Sequence, residues 1–190
     1  SPINAILFAE IVHASGLPKG VFNLVHGAGG EIGQELAGNP KVGLVSLTGS
    51  EPAGRKVMEA ASRNITKVNL ELGGKAPAIV LADANLDLAA KAIVASRIIN
   101  SGQVCNCAER IYVQREVKEV FTQKLVELMK KVRLGNPLED ETLDMGPMVN
   151  KQGQLHAQAM VDEAIKAGGR CLLGGHSVKG KGYYFEPTII

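Results

Sequence analysis

Two side chains of this sequence, Cys105 and Glu71, are placed where covalent and acid–base chemistry is possible. Cys105 follows a glycine break at Gly102, between an apolar helical segment and a strand-like run. A cysteine in such a loop can present its sulfur to an electrophile, and a nearby cation such as Arg110 would favour the thiolate. The alternative is that Cys105 and Cys107 are two buried structural cysteines, and the local sequence does not decide between these interpretations.

Glu71 stands at the end of an apolar strand-like run and is followed by Gly73 and Gly74. Removing an unpaired carboxylate from water costs several kcal/mol, so a glutamate in a core strand is unusual. We expect burial to disfavour its charged form, which would make Glu71 a base that works near neutral pH. The structural alternative is an ion pair of Glu71 with Lys67 or Lys75 at the edge of a sheet.

Two glycine-containing turns could hold phosphate groups. The first, Gly27–Gly33, precedes a helix, where N–H groups bind phosphate, but its G-x-G-x-x-x-G order departs from the dinucleotide fingerprint by one residue. We favour a tight strand-to-helix turn there, with Gln34 either at a cofactor or at the surface. The second, Leu47–Gly54, lacks the Lys-Ser/Thr pair of a P-loop, which argues against magnesium-dependent phosphoryl transfer. Its glycine, Ser50 hydroxyl and helix start could bind a diphosphate, or simply cap the helix.

The composition excludes several classes of function. Cys105 and Cys107 form a single pair without a second pair or a nearby histidine, whereas zinc needs about four ligands. The net charge is +2 with basic and acidic residues interspersed, and four Phe, three Tyr and no Trp leave little for bases to stack on, so we do not expect nucleic acid as a partner. No apolar run approaches the ~20 residues of a membrane span. Three cysteines cannot form a disulfide framework, which favours a reducing, cytoplasmic location.

The segments around these residues alternate between helical and strand-like patterns with short connections, which predicts an α/β fold with a doubly wound parallel sheet. Ser1 and Pro2 form a predicted helix start, and Gly73-Gly74 is the predicted domain boundary. The predicted helices cover residues 1–16, 31–37, 52–63, 88–99, 117–132 and 152–167. The predicted strands cover residues 21–25, 42–47 (buried on both faces), 66–72, 78–81, 111–113, 171–173 and 183–190.

Three motifs in order resemble the aldehyde dehydrogenase superfamily. Leu70–Pro77 is similar to its glutamate signature, Ser101–Ala108 to its cysteine signature, and Thr48–Ser50 with Gly54 to its cofactor loop. The separation of 34 residues between the glutamate and the cysteine also fits the family, and the similarity covers essentially the whole chain. The stretches at residues 65–80, 102–110 and 180–184 look most like the bacterial members that oxidise lactaldehyde and glycolaldehyde.

The resemblance implies an NAD(P)-dependent aldehyde dehydrogenase that converts a small hydroxyaldehyde, such as lactaldehyde or glycolaldehyde, to the carboxylic acid. In that reaction Cys105 is the nucleophile, which forms a thiohemiacetal and then a thioester, and Glu71 is the general base for hydrolysis. Asn106 would contact the substrate. The cofactor is NAD, with NADP not excluded, and no metal is implied. The implied cofactor contacts are Gly49, Ser50, Gly54, Gln34 and the Leu72 carbonyl.

The resemblance also implies that residues 1–72 are the C-terminal part of an NAD-binding domain and residues 73–190 the N-terminal part of a catalytic domain, both incomplete. We therefore expect these 190 residues alone to have little or no activity and to leave sheet edges unpaired. The full-length protein would be a homodimer or homotetramer. Two alternatives stay open. One is a CoA-acylating or ester-hydrolysing cysteine enzyme, which would not need Glu71 for turnover. The other is an inactive homologue with a role in assembly.

Overall fold

The computed structural model describes residues 2–190, so the predicted N-cap Ser1 lies outside the described residues. The chain divides after Gly73 into two compact units, called unit 1 and unit 2 here. The helices are α1 (Pro2–Ala14), α2 (Gly29–Ala37), α3 (Glu51–Ser62), α4 (Leu86–Ile98), α5 (Lys118–Met129) and α6 (Lys151–Lys166). The strands are β1 (Leu44–Gly49), β2 (Lys67–Leu72), β3 (Pro77–Val80) and β4 (Arg110–Val113). A turn at Ile99–Gly102 follows α4, and its inner residues Asn100 and Ser101 have left-handed rather than helical backbone. A short 3-10 turn at Arg115–Val117 precedes α5.

Unit 1 contains one parallel sheet, formed by β1 and β2 in a register that pairs Thr48 with Glu71. Helix α3 connects the two strands. Side chains alternate along both strands, because successive residues of a strand point to opposite faces. The half-buried face carries Val45, Leu47 and the even-numbered residues of β2, whereas the other face is exposed. The prediction that the strand at residues 42–47 is buried on both faces is wrong within unit 1, since Leu44 is 56% exposed.

The strand predicted at residues 21–25 does not form, which corrects the sequence analysis. Its Val-Phe-Asn-Leu-Val pattern has high β propensity, but propensity for a strand acts only where a neighbouring strand supplies hydrogen bonds and packing. Within residues 2–73 the sheet consists of β1 and β2, and neither pairs with this segment. Phe22 instead contacts Phe8 of α1 edge-to-face, with ring centroids 5.7 Å apart.

Unit 2 is built on a second parallel pair, β3 and β4, with α4 and α5 packed against it. Helix α4 begins at Asn85, whose side chain caps it by accepting a hydrogen bond from Leu88 N at 3.1 Å. Lys124 of α5 pairs with Asp87 at 2.6 Å, and this hydrogen bond and positive charge hold the pKa of Asp87 below its usual value. The buried core of unit 2 comprises Val80, Ala90, Ile93, Val94, Ala108, Phe121, Leu125 and Met129.

Phe121 is the largest fully buried side chain of this core, at 1% exposure. We predict that Phe121→Ala lowers the free energy of unfolding by about 3–5 kcal/mol, because it removes apolar contacts and leaves a cavity. The adjacent Val120 is 52% exposed, so Val120→Ala should change stability by no more than about 0.5 kcal/mol. Urea denaturation of both variants measures the difference, and equal effects would contradict this description of the core.

The last part of unit 2 departs from the predicted pattern. The strands predicted at residues 171–173 and 183–190 are reduced to isolated antiparallel bridges, which join Leu173 to Ile189 and Ser177 to Phe185. Gly174 and Gly175 lie between these bridges with positive φ, and Pro187 cannot donate to a ladder, so regular pairing is interrupted. No helix within residues 2–190 is long and apolar enough to cross a lipid bilayer.

Candidate active site

Cys105 and Asn106 form the exposed tip of a loop that connects the end of α4 to β4. The next two residues, Cys107 and Ala108, are buried at 2% and 8% exposure. The interpretation of both cysteines as buried is therefore wrong for Cys105 and right for Cys107. The loop presents one sulfur to solvent and packs the other, as a nucleophile at residue 105 requires.

The residues on either side of this tip are tied to the body of unit 2. Ala108 N donates a hydrogen bond to Ser96 Oγ of α4 at 3.1 Å, and Cys107 Sγ lies 3.9 Å from the Ile99 carbonyl oxygen. Cys107 N also bonds to the Val104 carbonyl at 3.2 Å, which closes a turn around Cys105. Within the described residues we find no hydrogen bond from the Cys105 N–H to another protein group. That N–H therefore remains free to donate to a substrate.

Arg110, which we considered as a cation for the Cys105 thiolate, is engaged elsewhere. Its Nε donates to the Lys75 carbonyl at 2.7 Å, and its Nη1 donates to the Tyr112 hydroxyl at 3.1 Å. Glu109 pairs with Lys75 Nζ at 2.5 Å. The ion pair considered between Lys75 and Glu71 is thus replaced by one with Glu109, inside unit 2. These contacts fix the first residues of unit 2 against the start of β4.

Glu71 lies on the exposed face of β2, next to the carboxyl end of the strand. The expectation of a buried carboxylate is wrong for unit 1, because Lys67, Asn69 and Glu71 lie on the exposed face of β2, whereas the alternate residues are half-buried. The apolar neighbours that suggested burial belong to the opposite face. Within unit 1, the Glu71 side chain is exposed to solvent.

The predicted cofactor residues Gly49 and Leu72 are paired at the carboxyl ends of β1 and β2. Open parallel sheets bind ligands at this edge. Ser50 follows at once and caps α3, with its Oγ accepting from Ala53 N at 3.4 Å. A hydroxyl that accepts this bond can still donate its own proton to a phosphate oxygen. Glycine, hydroxyl and helix N-terminus therefore fit a dinucleotide diphosphate.

Gly54 occupies a different kind of position. It is buried on the face of α3 that packs on β2, and a Cβ at this residue would lie 3.0 Å from both methyl carbons of Leu72. Glycine therefore lets the helix approach the strand closely, which brings the N-terminus of α3 to the sheet edge. This placement supports a packing role for Gly54 rather than a direct contact with a cofactor.

The glycine turn before α2 also has a packing explanation. A Cβ on Gly27 would lie 1.9 Å from the Ile32 Cδ1, so a larger residue here would require the Ile32 side chain to move. The turn leads into α2 as we expected, but the strand expected before it does not form. Gln34 is exposed on α2, and its backbone carbonyl accepts from Gly38 N at 2.9 Å near the end of the helix.

Unit 2 contains a cavity of about 590 Å³. It is lined in part by Ser101, Gly102 and Gln103, which come just before the Cys105 loop, but Cys105 itself does not line it. Four methionines line it: Met129, Met145, Met148 and Met160. The cavity therefore lies behind the loop and does not contain the Cys105 sulfur. Within residues 2–190 no cluster of three or more metal-ligating side chains is found.

Sequence reasoning missed the side chains that hold this loop from behind. Arg97 and Gln103 donate to backbone carbonyls of residues 100–102, just before the loop, and Ser101 donates to the Gly146 carbonyl of a separate segment. The one signal available was the Asn100-Ser101-Gly102 run, because Asn and Gly tolerate left-handed backbone better than other residues. That run was interpreted only as a helix break.

Comparison with known proteins places the whole chain in a family. A model of the aldehyde dehydrogenase family matches residues 1–190. Lactaldehyde dehydrogenase of Escherichia coli is 57% identical over 190 residues, which is 100% of this chain and 40% of that protein. The NADP(+)-dependent D-glyceraldehyde dehydrogenase of Picrophilus torridus is 42% identical and is covered to 39%. The chain thus spans about 40% of the length of these relatives.

Solved structures show the same relationship. The crystal structure of Escherichia coli lactaldehyde dehydrogenase matches 98% of this chain, and 39% of its own chain, with a TM-score of 0.95 and 58% identity. Betaine aldehyde dehydrogenase from Staphylococcus aureus, solved in complex with NAD+, matches 97% of this chain and 37% of its own, with a TM-score of 0.90 and 36% identity. The predicted α/β class with parallel sheets is confirmed by this likeness.

Proposed function

The chain belongs to the aldehyde dehydrogenase family, as its motifs indicated, and we propose that the full-length protein oxidises a small hydroxyaldehyde to the carboxylic acid with NAD or NADP. The observation that carries this proposal is that Cys105 is exposed on a loop whose other cysteine, Cys107, is buried. Lactaldehyde or glycolaldehyde is the proposed substrate, supported by the 57% identity with a lactaldehyde dehydrogenase. The implied dimer or tetramer stays a prediction.

In the first half-reaction the Cys105 thiolate attacks the aldehyde carbonyl carbon and forms a thiohemiacetal. The new oxyanion accepts a hydrogen bond from the Cys105 backbone N–H, and a donor aimed at such a charge contributes about 3–4 kcal/mol. Hydride then leaves the substrate carbon, which becomes a thioester carbonyl. This route splits the oxidation into hydride loss from a thiohemiacetal and hydrolysis of a thioester, and so avoids expelling hydride from a free aldehyde hydrate.

In the second half-reaction Glu71 accepts a proton from a water molecule, whose oxygen attacks the thioester carbon. The carbon–sulfur bond breaks, the carboxylic acid leaves and the Cys105 thiolate is restored. The exposure of Glu71 on β2 supports this role, since a base for water must be open to solvent. The apolar strand beneath it fixes its backbone.

The nicotinamide cofactor supplies the hydride acceptor. The residues proposed to hold it are Gly49 and Ser50 at its diphosphate, Leu72 through its carbonyl near the nicotinamide, and Gln34 near the adenosine. The paired ends of β1 and β2 and the capped N-terminus of α3 support this assignment for Gly49 and Ser50. Gly54 acts through close helix packing.

A substrate panel tests the proposal. The full-length protein is assayed with NAD and with NADP on four aldehydes: lactaldehyde, glycolaldehyde, propionaldehyde and betaine aldehyde. The rate is measured from the absorbance of the reduced cofactor. We expect kcat/KM to be highest for the two hydroxyaldehydes. The 190 residues alone, assayed beside it, should show little or no turnover. The absence of oxidation of every aldehyde by the full-length protein would contradict the proposed function, and turnover of glycolaldehyde by residues 1–190 alone would overturn the expectation for the chain.

A further inference from the structure

Three consecutive residues before the nucleophile loop have left-handed backbone. Asn100 has φ 46° and ψ 41°, Ser101 has φ 56° and ψ 35°, and Gly102 has φ 76°. Left-handed conformations usually occur at single residues, because each non-glycine residue there is destabilised by about 1–2 kcal/mol. Such strain persists only where surrounding contacts fix it, and it is concentrated at functional sites. The run ends three residues before Cys105.

The Gln103 side chain makes two hydrogen bonds that fix this left-handed turn. Its Nε2 donates to the Asn100 carbonyl at 3.0 Å, at the start of the turn. Its Oε1 accepts from Val149 N at 3.1 Å, in the segment just before α6. One amide therefore joins the turn to a separate part of unit 2, while the backbone of Gln103 leads directly to Val104 and Cys105.

Two neighbouring contacts support the same segment. Arg97 Nη1 donates to the Gly102 carbonyl at 3.0 Å, and Ser101 Oγ donates to the Gly146 carbonyl at 2.8 Å. A Cβ on Gly102 would lie 3.0 Å from the Arg97 guanidinium carbon, so the guanidinium lies directly against this glycine. These bonds fix Gly102 and Ser101, whereas Gln103 is nearest to Cys105 in the chain.

We propose that Gln103 is a positioning residue for Cys105. Its amide holds the left-handed turn, and the turn sets where the Cys105 sulfur and backbone N–H point. The inference rests on the proposed role of Cys105 as the nucleophile. Gln103 itself does not touch the substrate in this account. Removal of the Gln103 amide should lower the reactivity of Cys105 in a protein that is still folded.

The chain offers a matched control in Gln158, which lies on α6. Gln158 Nε2 donates to Asp162 Oδ1 and to the Gly175 carbonyl, both at 3.0 Å, and its Oε1 accepts from Ser177 N at 3.2 Å. It is the same residue type in the same unit, with an amide that also bridges two segments. Its bonds lie outside the Cys105 loop.

The experiment compares Gln103→Ala and Gln158→Ala in the full-length protein. Alkylation of Cys105 by iodoacetamide is measured by peptide mass spectrometry from about pH 6 to about pH 10, a range that includes the ordinary pKa of a cysteine thiol. Alkylation of Cys171 in the same samples is the internal reference. We expect Gln103→Ala to slow Cys105 alkylation about tenfold at neutral pH, and to lower kcat by about 10- to 100-fold with KM nearly unchanged. Gln158→Ala should leave both quantities near the wild-type values, and Cys171 alkylation should be unaffected in either variant.

Thermal unfolding of each variant separates positioning from folding. If Gln103→Ala is too unstable to assay, Gln103→Glu replaces it, since it preserves size and the bond from Val149 N but loses the donor to Asn100. The same slowing is expected there. Unchanged Cys105 alkylation in a folded Gln103 variant, or equal losses in the Gln103 and Gln158 variants, would overturn the proposal. Alkylation does not require aldehyde oxidation, so the two claims are tested separately. If the wild-type protein oxidises no aldehyde but Gln103→Ala still slows Cys105 alkylation, the proposed function is contradicted and the positioning role is supported.

Discussion

Cys105→Ala is expected to abolish aldehyde oxidation by the full-length protein, with a loss in kcat on the order of 10⁴-fold or more. Without the sulfur no thiohemiacetal forms, so hydride would have to leave a free hydrate. The variant should fold normally, because Cys105 is exposed and makes no packing contact whose loss would leave a cavity. Steady-state oxidation of glycolaldehyde with NAD, together with thermal unfolding, measures both effects.

Cys171→Ala is the control for this prediction. Cys171 is also an exposed free thiol in unit 2, so its removal changes thiol content without touching the proposed nucleophile. Its kcat should stay within about twofold of wild type. If Cys105→Ala retains substantial activity, or if both variants lose activity to the same extent, Cys105 is not the nucleophile.

Glu71→Gln is expected to lower steady-state turnover by about 10²- to 10⁴-fold, because the amide cannot take a proton from water. The first half-reaction does not use this carboxylate. A rapid burst of reduced cofactor, with an amplitude near one equivalent per active site, should therefore survive the substitution and be followed by a very slow steady state. Stopped-flow absorbance resolves the two phases.

Glu59→Gln provides the comparison within unit 1, since Glu59 is an exposed glutamate on α3 with no assigned role. It should leave both the burst and the steady state unchanged. Loss of the burst in Glu71→Gln would place the carboxylate in the first half-reaction and contradict the assignment. Full steady-state activity in that variant would instead favour an acylating or ester-hydrolysing enzyme, which does not need Glu71 for turnover.

The sequence predicted those features that depend on local pattern. Parallel pairing of β1 with β2 followed from strands separated by one helix, and the ordered motifs around Glu71 and Cys105 indicated the family. Exposure was predicted less well. The apolar residues beside Glu71 suggested burial, but a strand with one covered face hides only alternate side chains, and Glu71 falls on the other set.

The remaining differences come from interactions between residues distant in the chain. Residues 21–25 have the propensity of a strand, yet a strand is completed by a neighbour, which local pattern does not specify. Likewise, the role proposed for Gln103 depends on its bond to Val149, 46 residues later. A single uncharged glutamine near a cysteine forms no periodic or charged pattern from which a role in positioning that cysteine could be predicted.

The most direct test of the account is the identity of the covalent intermediate. The Glu71→Gln variant is mixed with glycolaldehyde and NAD, quenched in acid, digested and examined by mass spectrometry. We predict a glycolyl thioester on the peptide that contains Cys105, in an amount matching the reduced cofactor of the burst. Reduced cofactor formed with no acyl group on that peptide, or an acyl group found on Cys171 instead, would contradict the central claim that this sulfur carries the substrate between the two half-reactions.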